Sequence, residues 1–446
     1  MIQTPLRSRW LLAGLTLVAL TFAADTRLQA DDKAPQSAQP AATAPQAEPY
    51  DLWKTKKLTG DWGGARTSLE DSGIKISLVY NQQYMVNMRG GLETKNGNDF
   101  AGSYELSVVL DFDKMGLIPG GSFFIRPAKG TWGGEASDFD KEKIGGLFKT
   151  NGDAGTEEPV YVDKWWYRQR LSDDRIEFRV GRIDTKKDLF DRNKIAGSED
   201  IQFMNAALVA DPTIPHKHGL GIYANTWPTD WLWVRAAIVD PEARARRTGF
   251  DTGFHGEDRV RGFLEVGLAP RFDSANGKLL GHYHLGAWYR PHPKAEYRND
   301  LGGLLAPRSR SGDVGFYFGC DQLVWKENAE PKDKQGLSMF ARYGYAHDDV
   351  NRIEHFWSIG GQYRGVFEGR DKDVLGLGVA QAILSDQYGD EVHDGADRET
   401  VYELYYAYQL TPWCVFTPDL QFVTNPGGDQ DDRDAIVAGL RFRVTF

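Results

Sequence analysis

The sequence predicts an all-β transmembrane protein: an antiparallel outer-membrane β-barrel of about 16 strands with a short N-terminal helix. Three observations point there. The stretch from Thr400 to Phe446 alternates with period two. Tyr402, Leu404, Tyr406, Tyr408 and Leu410 share one parity, and Val401, Glu403, Tyr405, Ala407 and Gln409 take the other. Leu440, Phe442, Val444 and Phe446 likewise oppose Gly439, Arg441, Arg443 and Thr445. Period two sends successive side chains to opposite faces of a sheet, so one face is apolar and aromatic while the other carries charges and amides. Second, past residue 30 no apolar run approaches the ~20 residues of a spanning helix, whereas barrel strands of roughly 9–11 residues hide their apolar face by alternation. Third, short turns such as Ser172–Asp174, Trp227–Asp230 and Thr411-Pro412 alternate with long connections, 132–159, 183–218, 241–257 and 291–312 among them. Outer-membrane barrels show this asymmetry; a soluble sandwich has no reason to keep it.

Composition agrees. Glycine at 49 residues is well above the usual ~7%. The net charge of −10 excludes a nucleic-acid partner, because a phosphate-binding surface needs a basic excess. Cys320 and Cys414 lie in separate expected strands and read as unbridged packing residues.

Taken in order, residues 1–30 have the form of a cleaved signal peptide: Arg7 and Arg9, the apolar run Trp10–Ala24, then small residues. Residues 31–57 are rich in Ala, Pro and Gln and read as a disordered linker. Residues 58–73 hold a short periplasmic helix that Gly73 terminates. The barrel domain then fills 74–446. Its first strand starts at Ile74, with further strands expected near 101–112, 121–131, 160–171, 175–182, 219–226, 231–240, 258–271, 279–290, 313–325, 336–346, 355–366, 373–384, 399–410, 413–424 and 435–446.

Several stretches resemble the carbohydrate-selective porin family of the OprB type. They are LTGDWGGAR at Leu58–Arg66, YELSVVLDFDKMGLIPGGSFFI at Tyr104–Ile125, RVGRID at Arg179–Asp184, GLSMFARYGYA at Gly336–Ala346 and QLTPWCVFTPDLQFVTNPGG at Gln409–Gly428. The resemblance runs from the short helix to Phe446. It implies a 16-stranded barrel that admits glucose and other small sugars by passive diffusion. The loops at 133–158 and 298–311 look individual to this chain.

A sugar offers many hydroxyls and two weakly apolar ring faces. A selective pore therefore needs charged donors and acceptors plus an aromatic platform, with binding weak enough to release. Lumen parity selects Glu105, Arg126, Trp166, Arg168, Glu177, Arg179, Trp288, Arg342 and Arg441 as pore-lining candidates, and Asp184, which opens the long connection after the fifth strand, joins them. The polar constriction is expected around Glu105, Arg126, Arg168 and Arg179. The segment 184–218, with Phe190, Phe203 and Met204, is expected to fold inward and narrow the pore.

The pairs His216/His218 and His282/His284 lack further ligands of matched spacing, and the acidic loop 429–434 lacks the glycine and glutamate of a calcium loop. No metal and no cofactor is expected. Expected partners are mono- and small oligosaccharides, outer-membrane lipid and lipopolysaccharide. Both a monomer and a homotrimer fit. Competing readings are a general or anion-leaning porin, given the arginines, an outer-membrane hydrolase, for which no convincing nucleophile is visible, and a soluble secreted β-protein.

Overall fold

The computed structural model describes residues 50–446 apart from 133–138, 154–159, 216–217, 241–259, 298–307, 331 and 392–394. The expected signal peptide, most of the linker and His216 lie outside the described residues.

Alternation is realised as a closed antiparallel barrel. Its strands are β1 (Ile74–Arg89), β2 (Asn98–Asp111), β3 (Gly121–Trp132), β4 (Trp165–Leu171), β5 (Ile176–Asp184), β6 (His218–Thr229), β7 (Leu232–Val239) and β8 (Arg261–Leu268). They continue with β9 (Gly277–Arg290), β10 (Asp313–Lys326), β11 (Gly336–Ala346), β12 (Ile353–Arg364), β13 (Val374–Leu384), β14 (Arg398–Thr411), β15 (Cys414–Thr424) and β16 (Ala435–Thr445). Arg271–Ser274 prolongs β8 and pairs with the start of β9. Each strand pairs with its sequence neighbours, and β1 closes the cylinder on β16 in a register that sets Tyr80 opposite Val444 and Tyr84 opposite Leu440. The barrel among the described residues thus has sixteen strands, as the sequence predicts, and a short separate pair, Lys294–Ala295 with Ser309–Arg310, lies apart from it.

Two expected strands are cut short, each for a physical reason. The one placed at 160–171 begins only at Trp165. Residues 161–164 leave the regular ladder and stay tied to β3 by the Tyr161–Lys129 bridge and by the Arg126 N–H, which donates to the Lys164 carbonyl (3.0 Å). The one placed at 258–271 breaks at Ala269-Pro270, where proline has no N–H to give the ladder. The expected helix is also shorter than 58–73: one tight turn at Trp62–Gly64 leads into α1 (Ala65–Asp71). Gly73 follows at φ 91°, and a Cβ there would stand 2.7 Å from the Asp111 carbonyl oxygen, so only glycine fits this exit.

The barrel carries its apolar side chains outward. Leu285, Leu377, Ile222 and Leu264 are more than half exposed, and so are many others of the same parity. Charged and amide side chains point in, where Arg441, Glu403 and Gln421 are buried. This inversion of an ordinary globular protein is what a hydrocarbon surround requires. Cys414 and Val444 are exceptions, buried despite their outward parity and paired across the sheet. They sit at the short-turn rim, where Leu58 N–H donates to the Thr445 carbonyl (2.8 Å) and the Trp413 indole donates to the Leu52 carbonyl (2.7 Å). Both cysteines are free.

Leu404 lies mid-strand and outward, between Leu377 and Leu420. Leu404→Arg should cost about 2–4 kcal/mol of folding free energy in lipid vesicles, as a charge at the bilayer midplane does. Urea titration of vesicle-refolded protein measures it; a neutral result would place β14 in the opposite register.

Candidate functional site: a polar channel beside an infolded segment

The lumen is not open across its width. Residues 185–215, between β5 and β6, fold inward as expected. Phe190, Phe203, Met204 and Leu208 are fully buried there. Each such side chain is stabilised by about 1.5–3 kcal/mol through burial. The inward face of β11–β16 answers with an apolar cluster that includes Phe340, Phe356, Val401, Tyr405 and Val437. A second cluster fixes Leu189 and Phe190 against Tyr223, Phe263, Trp288 and Tyr317 of β6–β10.

The wall also satisfies the segment's backbone. Glu403 accepts from the N–H groups of Met204 (2.5 Å) and Asn205 (2.9 Å). Arg342 donates to the carbonyls of Leu208 (2.8 Å), Ala196 (2.8 Å) and Val209 (3.2 Å). Arg441 donates to those of Glu199 (2.5 Å) and Gln202 (2.8 Å). Hydrogen bonds to charged groups are worth roughly 1.5–3 kcal/mol, so clamps and apolar packing contribute comparably. Gly344 permits the close approach: a Cβ there would lie 2.0 Å from Asp211 Oδ2.

A second infolded stretch, 139–153, was not foreseen. It packs Phe139, Ile144 and Phe148 into the same cluster, and Gly152 N–H donates to the Met204 carbonyl (2.7 Å). Phe139, Ile144, Leu147 and Phe148, apolar residues inside a largely polar loop, carry the signal.

What stays wet is the sector along β1–β6. There a cavity of about 270 Å³ is lined by Glu105, Arg126, Lys129, Asp153, Tyr161, Lys164, Asp184, Glu199, Asp200 and His218, among others. Arg126 Nη1 bridges Glu105 (2.8 Å) and Asp163 (2.7 Å), and Lys129 Nζ also reaches Glu105 (2.8 Å). Lys164 pairs with Asp188 (2.8 Å), and His218 lies 3.4 Å from Asp184. A second cavity of about 330 Å³ shares Arg126, Lys164 and Asp188 and adds Phe124, Trp166, Arg179 and Arg192. Trp166 and Phe124 stack at 5.0 Å with 12° between their planes. Arg179 lies 4.7 Å and Arg168 5.8 Å over the indole. Arg179 donates to Glu177 (2.7 Å), and Arg168 to the Ser122 hydroxyl (3.0 Å).

The structure therefore brings together seven of the ten candidates: Glu105, Arg126, Trp166, Arg168, Glu177, Arg179 and Asp184. Trp288, Arg342 and Arg441 point inward too, but the infolded segment covers them. Their partners are its backbone and apolar side chains, not the open channel.

The profile described as "Carbohydrate-selective porin, OprB family" matches residues 95–446. The chain belongs to this family. It is an outer-membrane porin for carbohydrates. Pseudomonas aeruginosa Porin B is 23% identical over 422 residues, covering 88% of this chain and 92% of the relative. The putative porin QuiX of Acinetobacter baylyi is 22% identical over 440 residues, covering 89% and 95%. The high-pH structure of Pseudomonas putida OprB shares the fold, with a TM-score of 0.77 at 23% identity over 89% of this chain and all of that one. The homologues are channels rather than enzymes.

Two of the candidate histidines are packing residues in this porin. His282 stacks on Trp233 at 4.3 Å, and His284 holds Asp191 of the infolded segment at 3.3 Å. Lys129, Asp188 and Asp200 line the channel and Asp163 braces Arg126 from behind, yet alternation does not single them out. Lys129 has the opposite parity to Arg126 on β3 and turns inward only because the register shifts between Leu106 and Val108. The carboxylates sit on connections, where no periodicity marks them.

Asp200, carried in by the segment, accepts from Asn81 Nδ2 (3.0 Å). Burial, then the nearby carboxylates of Asp153 and Glu105, push its pKa up to about 8. It is therefore mostly protonated below that pH and adds a negative charge to the channel above it. Cation-over-anion permeability in planar bilayers should rise between pH 6 and pH 9, and Asp200→Asn should flatten that rise. A profile that Asp200→Asn leaves unchanged would assign the titration elsewhere.

Proposed function

We propose that the channel carries glucose-like monosaccharides and small oligosaccharides by passive diffusion, without catalysis. The observation that carries this reading is the junction of a stacked Trp166–Phe124 platform with a wall of paired charges, Arg126 with Glu105 and Asp163, Lys164 with Asp188. Paired charges hold donors and acceptors in fixed positions without presenting a net field. A neutral polyol gains charge-assisted hydrogen bonds from them, roughly twice as strong as neutral ones. The Trp166 and Phe124 rings that line the cavity offer the sugar ring a weak apolar contact. Binding of this kind orients the solute yet releases it, which a conducting pore requires.

The rest of the reading follows from the chain's layout. Residues 1–30 direct export and are removed, 31–57 form a linker, 58–73 a periplasmic helix region and 74–446 the barrel. The apolar outer belt faces lipid, and the long loops face the lipopolysaccharide surface. Relatives named as porins support the same reading.

Liposome swelling tests it. Glucose should enter faster than a zwitterionic amino acid of similar size, and Trp166→Ala should reduce that preference several-fold while ion conductance persists. Equal entry of both solutes in the wild type would favour a general porin.

A further inference from the structure

The charges along the channel are not all compensated. In the cavity beside Trp166, Arg126 is engaged by two carboxylates, Lys164 by Asp188 and Arg179 by Glu177. Arg192 differs. It enters on the infolded segment between Asp191 and Asn193, whose side chains are buried against the wall. Its own side chain is exposed to the lumen and lines this cavity. Among the described residues no carboxylate or other acceptor bonds to its guanidinium. The neighbouring Arg235 donates instead to the Leu189 carbonyl (2.6 Å) and lies 3.3 Å from Glu265. An arginine remains charged under any physiological condition, and its planar fork matches a carboxylate.

We propose that Arg192 makes this cavity a carboxylate subsite, and that the pore therefore favours sugar acids, polyhydroxy compounds bearing one carboxylate, over neutral sugars. The inference rests on the sugar-channel reading above and narrows its substrate class. The carboxylate takes the free guanidinium. The ring packs against Trp166 and Phe124, which line the same cavity. The hydroxyls reach Arg126, Lys164 and Asp188, which the adjoining cavity shares. A simple carboxylate such as acetate meets only the first of these contacts, and glucose only the other two. Desolvation within the lumen, then the neighbouring Arg235, lower the pKa of Arg192 against the opposing pull of Asp188.

The test uses the full-length protein in planar bilayers, with ion-current block titrated by glucose, glucuronate and acetate. Glucuronate should block about tenfold more tightly than glucose, the ratio expected of one added charge-assisted hydrogen bond. Acetate should block weakly. Arg192→Gln should bring glucuronate down to the level of glucose, and Arg192→Lys should keep part of the difference. Three results would overturn the proposal: glucuronate no tighter than glucose in the wild type, a preference that survives Arg192→Gln, or acetate as effective as glucuronate. If glucuronate blocks through Arg192 while glucose has no effect, the neutral-sugar reading fails and the carboxylate subsite stands.

Discussion

A chain that folds back inside a barrel takes its backbone N–H and C=O groups away from bulk water, and each then needs a partner there. Here the wall supplies those partners from long charged side chains at inward positions. Glu403 takes two successive N–H groups, Arg342 three carbonyls and Arg441 two. A carboxylate suits consecutive donors, and the guanidinium fork suits clustered carbonyls. The pore depends on this arrangement. Without a fixed segment across the lumen, the β2–β5 wall would face a wide aqueous channel with no opposite side.

Apolar packing divides the lumen into dry and wet sectors. Inward positions of β11–β16 hold Phe340, Phe356, Val401, Tyr405 and Val437, which water-lined walls do not use. They pack on Phe203, Met204 and Leu208. Polar inward residues of β1–β6 are left to line the channel. The segment also carries charge to that side, Asp188, Arg192 and Asp200 among it. Solute selection is thus shared between a rigid strand wall and one long connection. The wall positions Trp166 and Arg126 through the ladder; the connection sets the net charge they work beside.

The barrel was legible in the sequence because alternation has a fixed period and lipid demands an apolar outer face. The parity of Tyr402–Leu410 and the strand count both follow from that. Strand ends were less legible at residues 161–164 and at Pro270, where departure from the sheet depends on tertiary partners. For the channel, parity correctly turned Glu105, Arg126, Trp166, Arg168, Glu177 and Arg179 inward. It could not tell an inward residue that meets water from one that a folded-in loop covers, so Trp288, Arg342 and Arg441 looked equivalent to the rest. Residues on the connections, Asp163, Asp200 and Arg192, obey no periodicity. Their placement comes from long-range contacts that only the folded chain defines.

The most direct measurement replaces residues 187–214 by a short Gly/Ser linker and records single-channel conductance together with sugar block. The barrel should still insert, because the ladder of β1–β16 does not depend on the segment. Conductance should rise several-fold and sugar block should disappear. Unchanged conductance with block intact would contradict the central claim that the infolded segment forms one side of the selective channel.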